Sequence, residues 1–280
     1  MAVGPLRALV AAGHEVVLVV SRPDRKRGRG GALTPSPVKA AAEELGLPVT
    51  DRVDDLLGAG AGLGVVVAYG RLIRPHVLAV LPMVNLHFSL LPRWRGAAPV
   101  ERAVLAGDDV TGVCVMALEE GLDTGPVYAS ATVPIGDEAT VEELRSELAG
   151  VGTAMLVHLL EAGLPEGRPQ EGEVTYAAKI DPAELRVDWS RPAAELHRVV
   201  RLGQAWTTFR GRRLKVLRTR LAEPGPAPLG PGVIDPATLR VGTGAGTLEL
   251  VEVQPEGKGP QAAAAWRNGA RPGTGERMGT

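Results

Sequence analysis

Three polar residues stand out in the sequence because their types and spacing suit one reaction: Asn85, His87 and Asp123. Asn85 and His87 lie two residues apart where an apolar segment ends. Alternate residues of a β-strand point to the same face, so the amide and the imidazole are predicted to lie side by side. Asp123 lies between Gly121 and Gly125, which permit the backbone shapes of a tight loop.

These residue types suit the transfer of an acyl group to an amine. Attack of an amine on a formyl or acyl carbon produces a tetrahedral oxyanion, and Asn85 and a protonated His87 can each donate an N–H to it. Asp123 can keep His87 charged and accept, through water, the proton that the amine releases. Taken alone, such residues are more often structural, with Asn85 and His87 capping a loop and Asp123 forming a turn.

The elements that must position these residues follow from the spacing of apolar residues and from turn residues. Apolar runs typical of buried strands cover residues 15–20, 65–69, 84–88 and 112–118. Spacing typical of helices covers residues 3–12, 37–45, 76–80, 99–106 and 140–161. Strands that alternate with helices predict an α/β, Rossmann-like domain with a mostly parallel sheet, whose ligands bind at the carboxyl ends of the strands.

The pattern changes after residue 162. Residues 163–186 are rich in proline, glycine and charge, which is typical of a linker. A helix at 193–202 then precedes short strand-like segments at 207–209, 213–219, 232–234 and 247–253. These segments predict a small β-barrel or sandwich, and the last twenty residues are expected to be loosely ordered. We therefore predict domains over 1–162 and 187–280, joined by the linker 163–186.

The first element departs from this plan, because the chain opens within a predicted helix. A doubly wound unit begins with a strand that lies centrally in the sheet and whose loop helps to form the site. Either the fold has an unusual edge, or translation starts at a codon upstream of Met1; we favour the upstream start.

Composition excludes several classes of protein. Cys114 is the only cysteine, which rules out an internal disulfide and fits a reducing compartment, and its apolar neighbours predict a core thiol. No apolar run approaches the ~20 residues of a membrane span, and the N-terminus lacks the pattern of a signal peptide. We expect a cytoplasmic protein without a membrane partner, and without a metal, since no cluster of ligands has metal-binding spacing.

Positive charge is concentrated in two places. Residues 186–280 hold 15 Lys/Arg against 8 Asp/Glu, although the whole chain has a formal net charge of −1. The segment 22–29 has five basic residues in eight, among them Arg25, Lys26, Arg27 and Arg29. Such segments neutralise phosphates of nucleic acids, and they also occur as solvated charged turns.

Several motifs together resemble one enzyme family. N-x-H-x-S-L-L-P at 85–92, R-W-R-G-A-A-P at 93–99 and G-L-D-T-G at 121–125 are similar to motifs of the 10-formyltetrahydrofolate-dependent formyltransferases. The segments 23–39, 66–70 and 174–180 also resemble that family, so the likeness covers nearly the whole chain. The family's first strand and its G-T-P loop have no counterpart here.

The resemblance implies a fold, a reaction and the residues that perform it. It implies a Rossmann-like catalytic domain, a linker, and a C-terminal barrel of OB type that binds tRNA. The implied reaction moves a formyl group from 10-formyltetrahydrofolate, the co-substrate, to the α-amino group of methionine on initiator tRNA. We expect a monomer. The implied site residues are Asn85, His87 and Asp123 for catalysis, Ser89, Leu90, Leu91 and Pro92 for folate, and Arg29, with Arg25, Lys26 and Arg27 beside it, for tRNA.

Two alternatives remain. A relative with the same chemistry would act on a small amine, such as a sugar amine or glycinamide ribonucleotide, or on water; the basic segments argue against it. A non-catalytic remnant that binds tRNA or folate would explain the missing strand.

Overall fold

The computed structural model describes residues 1–27, 31–223 and 229–280 of the chain. These residues divide into two units. Unit 1 comprises residues 1–100, 110–134 and 145–178, and unit 2 comprises residues 101–109, 135–144 and 179–280.

All α-helices of the described residues except the last, which was not predicted, begin close to the positions that apolar spacing predicts. They are α1 (Val3–Ala11), α2 (Pro37–Glu44), α3 (Pro75–Leu78), α4 (Pro99–Ala106), α5 (Val141–Ala162), α6 (Ala193–Arg201) and α7 (Ala263–Ala270). Local chemistry explains the starts. Ser36 caps α2 by accepting a hydrogen bond from Lys39 N, and Pro37 supplies a fixed φ at the first helical position. No helix among the described residues is both long and apolar enough to cross a membrane.

The strands are mostly short. Those in unit 1 are β1 (Val19–Val20), β2 (Arg25–Arg27), β3 (Ala32–Thr34), β4 (Val49–Thr50), β5 (Gly64–Val67), β6 (Met83–His87), β7 (Arg95–Gly96), β8 (Val110–Ala117), β9 (Val127–Pro134) and β10 (Tyr176–Ala177). Those in unit 2 are β11 (Trp206–Phe209), β12 (Arg212–Ala222), β13 (Arg240–Gly242), β14 (Thr247–Pro255) and β15 (Gln261–Ala262).

The central sheet of unit 1 has the order β5-β6-β8-β9, and its strand directions correct the prediction of a mostly parallel sheet. Only β5 and β6 are parallel, whereas β6–β8 and β8–β9 are antiparallel. The loop of 118–126 between β8 and β9 is too short for the crossover that parallel neighbours need. The parallel pair β1–β4 forms a separate sheet. The unit is therefore a mixed α/β structure that contains parallel pairs.

Strand β6 positions the polar pair of the sequence. All five of its residues are buried, with β5 on one side and β8 on the other. Leu86 points to the face that α5 covers, since a Cβ at Gly152 of that helix would lie 3.0 Å from Leu86 Cδ1. Asn85 and His87 alternate with Leu86 and therefore point to the opposite face.

Unit 2 holds an antiparallel sheet in the order β11-β12-β14-β13, with β15 paired to β14. Helix α6 contributes Leu196, Val199 and Val200 to the core of this unit. The predicted strand at 232–234 is wrong, because only isolated bridges form there. The sheet keeps a single hydrophobic core because alternate residues of its strands point inward.

The prediction of a loosely ordered C-terminal end is also wrong. Helix α7 places Trp266 edge-to-face on Phe209, with ring centroids 5.2 Å apart. Met278 is buried and bridges to Phe209 of β11. The small apolar residues of this end lie between glycines and prolines and show no helical or strand periodicity. Contacts with strands distant in sequence hold the segment in place.

The start of α5 generates a pH-dependent prediction. Thr140 and Glu143 form a reciprocal cap: Glu143 N donates to Thr140 Oγ1, and Thr140 N donates to Glu143 Oε2. Thr140 donates to the carboxylate from its backbone N–H and its hydroxyl, and Arg218 donates a further bond; together they lower the pKa of Glu143 from 4.5 to about 2. A carboxyl whose pKa is lowered by folding stabilises the protein above its unfolded pKa, and the contribution is lost as pH falls through the folded pKa.

We therefore expect Glu143→Gln to lower the free energy of unfolding at neutral pH, and the difference from wild type to shrink as pH falls from 4.5 toward 2. The effect should be small, since the side chain is 54% exposed. Urea denaturation across this range is the measurement. Glu142→Gln, which leaves the Thr140 and Arg218 contacts in place, is the control; an equal pH dependence in both variants would contradict the assignment.

Candidate active site

The structure brings Asn85, His87 and Asp123 together. Asn85 Nδ2 lies 3.5 Å from one carboxylate oxygen of Asp123, and His87 Nδ1 lies 3.6 Å from the other. The second oxygen also accepts a hydrogen bond of 2.8 Å from the backbone N–H of Gly96. Asp123 thus joins the two side chains of β6 to the loop that follows that strand.

These contacts are largely shielded from solvent. The side chains of His87 and Asp123 are 6% and 11% exposed, so water screens their interaction little. His87 Nε2 donates a hydrogen bond of 2.9 Å to the carbonyl of Trp94. Each ring nitrogen of His87 therefore lies near an oxygen atom, which fixes the orientation of the ring.

The loop that carries Asp123 is held by Gln170. Asp123 has a φ of 51°, in the left-handed region, and the flanking Gly125 has no room for a Cβ, which would lie 2.1 Å from Ala117 O. Gln170 Nε2 donates to the carbonyls of Asp123 and Gly125, each at 2.8 Å. Its Oε1 accepts from Arg95 Nε and Nη2 at 3.1 and 2.7 Å. One amide thus fixes the loops on both sides of the carboxylate.

The R-W-R-G loop is held from the same segment. Trp94 has a φ of 63°, and its N–H donates to Thr175 Oγ1 at 2.9 Å. Strand β7 pairs in parallel with β10, so closely that a Cβ at Gly96 would lie 2.9 Å from Ala177 O. Residues 170–177 therefore position both oxygen partners of His87.

Sequence reasoning missed Gln170 and Thr175. Both lie in the segment 163–186 that the composition predicts as a linker. The V-T-Y-A part of the resemblance was a signal for Thr175, but it assigned no role. Gln170 gave no signal, because a single glutamine between charged and proline residues has no recognisable pattern.

The S-L-L-P turn follows β6 directly. Ser89 is buried, and its hydroxyl donates to Arg93 O at 2.6 Å, so it closes the turn rather than facing outward. Pro92 is buried, whereas Leu90 and Leu91 are partly exposed. The absence of a side chain at Gly112 makes room for Leu90, since a Cβ there would lie 2.4 Å from its Cδ2.

Cys114 lies next to His87 across the β6–β8 pair, and the prediction of a core thiol is confirmed. Burial raises the pKa of its thiol. A backbone hydrogen bond from Leu91 lowers the pKa, but by less than burial raises it. A buried thiol of raised pKa is a poor nucleophile.

The described part of the basic segment contains one strand of a β-hairpin. Arg25, Lys26 and Arg27 make up β2, which pairs antiparallel with β3, and the side chains of Arg25 and Lys26 are exposed. Asp24 anchors the start of the hairpin through both carboxylate oxygens, each 2.9 Å from Lys39 Nζ. Arg29 lies outside the described residues. No hydrogen bond or ion pair among the described residues joins β2 to Asn85, His87 or Asp123.

Comparison with known proteins identifies similar families and folds. A family model described as formyl transferase matches residues 6–160, and one described as formyl transferase, C-terminal domain, matches residues 179–271. A methionyl-tRNA formyltransferase from Roseobacter denitrificans is 47% identical over 282 residues, which cover 95% of this chain and 91% of the relative.

Solved structures share the fold at lower sequence identity. An N-formyltransferase from Helicobacter canadensis, in complex with folinic acid and dTDP-3-aminofucose, has a TM-score of 0.67 at 15% identity and is matched over 91% of this chain and 95% of that one. HypX from Aquifex aeolicus, in complex with tetrahydrofolic acid, has a TM-score of 0.61 at 20% identity. The match covers 84% of this chain and 44% of HypX, so this chain spans less than half of that protein.

The contacts of Gln170 generate a stability prediction. Gln170→Ala removes two donors from the Asp123 loop and the acceptor of Arg95, so we expect the free energy of unfolding to fall by about 1 to 3 kcal/mol. Gln170→Glu keeps the acceptor for Arg95 but loses both donors, and it should lose most of the same stability. Urea denaturation measures both, with Glu171→Ala at the exposed neighbouring position as control. Equal stability of Gln170→Ala and the control would refute the role.

Proposed function

This chain belongs to the formyl transferase family, and from that premise we propose that it formylates methionyl initiator tRNA. The formyl group would come from 10-formyltetrahydrofolate, and the acceptor would be the α-amino group of the esterified methionine. One observation carries the chemistry: a buried aspartate joins an amide and an imidazole on the last residues of a central strand. Identity of 47% to a methionyl-tRNA formyltransferase over 95% of the chain supports this acceptor.

Asn85 and His87 stabilise the oxyanion in this proposal. The amide nitrogen of Asn85 carries two N–H groups, so its long contact with Asp123 leaves one for the oxyanion that forms when the amine attacks the formyl carbon. His87, held between Trp94 O and Asp123, places a positive charge beside that donor. The new C–N bond forms in this attack. When the tetrahedral intermediate collapses, the bond from the formyl carbon to the folate nitrogen breaks, and tetrahydrofolate leaves with a proton on that nitrogen.

Asp123 has two roles in the same step. It orients the ring of His87 through the contact with Nδ1. It also accepts, through water, the proton that the attacking amine releases. Its bond from Gly96 N fixes the carboxylate while Asn85 and His87 act on the substrate.

Ser89, Leu90, Leu91 and Pro92 hold the folate in this proposal. The partly exposed side chains of Leu90 and Leu91 fit the flat apolar faces of a pterin ring. Ser89 and Pro92 have buried side chains, so they would act by fixing the backbone of the turn.

The hairpin and unit 2 bind the RNA in this proposal. Arg25 and Lys26 are exposed on β2, with Arg27 and Arg29 following in the sequence, and cations on a hairpin neutralise phosphates without reading sequence. Residues 186–280 add an excess of positive charge.

The finer organisation is part of the proposal. We propose a catalytic domain over 1–162, a linker over 163–186 and a barrel of OB type over 187–280, in a cytoplasmic monomer. The expected first strand stays a prediction; β1 is the first strand among the described residues, and it lies in a different sheet from β5.

An assay with purified substrates tests the function. We expect formylation of methionyl initiator tRNA from 10-formyltetrahydrofolate, with no product from free sugar amines or glycinamide ribonucleotide. Formylation of a small amine in preference to the charged tRNA would overturn the choice of acceptor. Equal formylation by wild type and His87→Ala would overturn the catalytic role of the site.

Asn85→Ala tests the oxyanion donor. Loss of one such donor lowers kcat by about 100- to 1000-fold. Steady-state formylation of charged tRNA measures the effect, and Asn268→Ala, at an exposed position of α7, is the matched control. A loss of less than about threefold would show that Asn85 is not a donor in the transition state.

The basic hairpin predicts a salt dependence. Arg25→Gln together with Lys26→Gln removes two cations that would each contact a phosphate. We expect weaker tRNA binding and a slope of log K against log salt that is less steep by about 0.9 for each contact. Arg7→Gln with Arg52→Gln removes the same charge from other exposed positions of unit 1 and should leave the slope unchanged. Identical slopes in the two double variants would contradict the role of the hairpin.

A further inference from the structure

Unit 2 contains a cavity that the proposed reaction does not use. It has a volume of about 660 Å³, within the size range of small-ligand sites. Trp206, Lys215 and Gln254 form its base, while the 3₁₀ turn at Pro182–Leu185 lines one side and the turn at 255–257 lines another. All of these residues belong to unit 2.

The base of the cavity is a row across three strands. Trp206 of β11 is paired with Lys215 of β12, which is paired in turn with Gln254 of β14. Their neighbours Leu214 and Val253 are buried, so alternation places the row on the outer face of the sheet. The row is therefore held by backbone pairing and presents an aromatic ring, an ammonium group and an amide in fixed order.

Cations surround the aromatic ring. Arg213 Cζ lies 4.4 Å from the ring centroid of Trp206, and Arg186 Cζ lies 5.8 Å from it. Arg213 also lines the cavity, next to Lys215 on the same strand face. Glu256 also lines the cavity, but no ion pair among the described residues joins its carboxylate to Arg213 or Lys215.

We propose that this cavity binds an unpaired nucleotide of an RNA. A base can stack on the guanidinium group of Arg213, which itself lies over the indole of Trp206, while Lys215 neutralises the phosphate and Gln254 can bond a base edge. Single-stranded RNA exposes the faces of its bases, whereas a duplex buries them in its stack. The cavity therefore discriminates between unpaired and paired nucleotides, and it tolerates any base because stacking is not sequence-specific.

Assignment of that nucleotide to the tRNA acceptor rests on the proposed function. The site itself does not, because its chemistry is independent of Asn85, His87 and Asp123. It differs from phosphate contact by scattered surface cations because it requires an aromatic ring and cations together in one cavity.

Binding of a single-stranded RNA hexamer to the full chain tests the proposal, with a duplex of the same sequence for comparison. Trp206→Leu should weaken hexamer binding by about 5- to 150-fold, the loss expected for one stacked base, and Trp206→Phe should restore part of it. Lys215→Gln should make the slope of log K against log salt less steep by about 0.7. Duplex binding should change little in Trp206→Leu.

The matched control is Arg52→Gln, an exposed position of unit 1 outside the cavity, which should bind the hexamer like wild type. Hexamer affinities of Trp206→Leu and Lys215→Gln equal to that of the control would overturn the proposal. So would an equal loss of duplex binding in Trp206→Leu. If circular dichroism shows that Trp206→Leu is unfolded, Lys215→Gln and Arg213→Gln at exposed or half-buried positions decide the matter.

The two proposals fail separately. If the wild type formylates charged tRNA, but substitution of Trp206 or Lys215 leaves hexamer affinity unchanged, only the nucleotide site in the cavity is refuted. If the wild type does not formylate charged tRNA, but the variants bind the hexamer more weakly as expected, the proposed reaction is refuted and the nucleotide site is supported.

Discussion

The carboxylate of Asp123 is the interaction on which the site depends. One oxygen faces the Asn85 amide, while the other faces His87 and accepts from Gly96 N. A charge that is 11% exposed would be costly without such partners, so the two side chains of β6 and the loop after it must stay close to one another. The arrangement is rigid because every group in it satisfies a neighbour.

The close approach of these groups depends on contacts with a segment that is distant in sequence. Residues 170–177 hold the Asp123 loop through Gln170 and the R-W-R-G loop through Thr175 and β10. Left-handed backbone at Trp94 and Asp123 is unfavourable for residues with side chains, and it persists because these contacts determine it. The shape of the site is thus set by segments that take no part in the chemistry.

Sequence reasoning succeeded where the physics is local. The period of two in a strand placed Asn85 beside His87, and helical spacing gave the bounds of α4. Strand direction, β9 and helix α7 were not predicted, because pairing and burial depend on residues far along the chain. The proximity of Asp123 to His87 came from the resemblance to a family, since no local pattern fixes which loops meet. Gln170 could be found only from the folded structure.

The position of Cys114 gives the molecule a built-in reporter. It is the only thiol of the chain, it is 1% exposed, and it pairs across the sheet with His87 while its sulfur accepts from Leu91. A thiol reagent can reach it only when β8 separates from β6 or the turn after β6 lifts away. The rate of its modification in the native protein therefore measures the free energy of local opening at the site, separately from global unfolding.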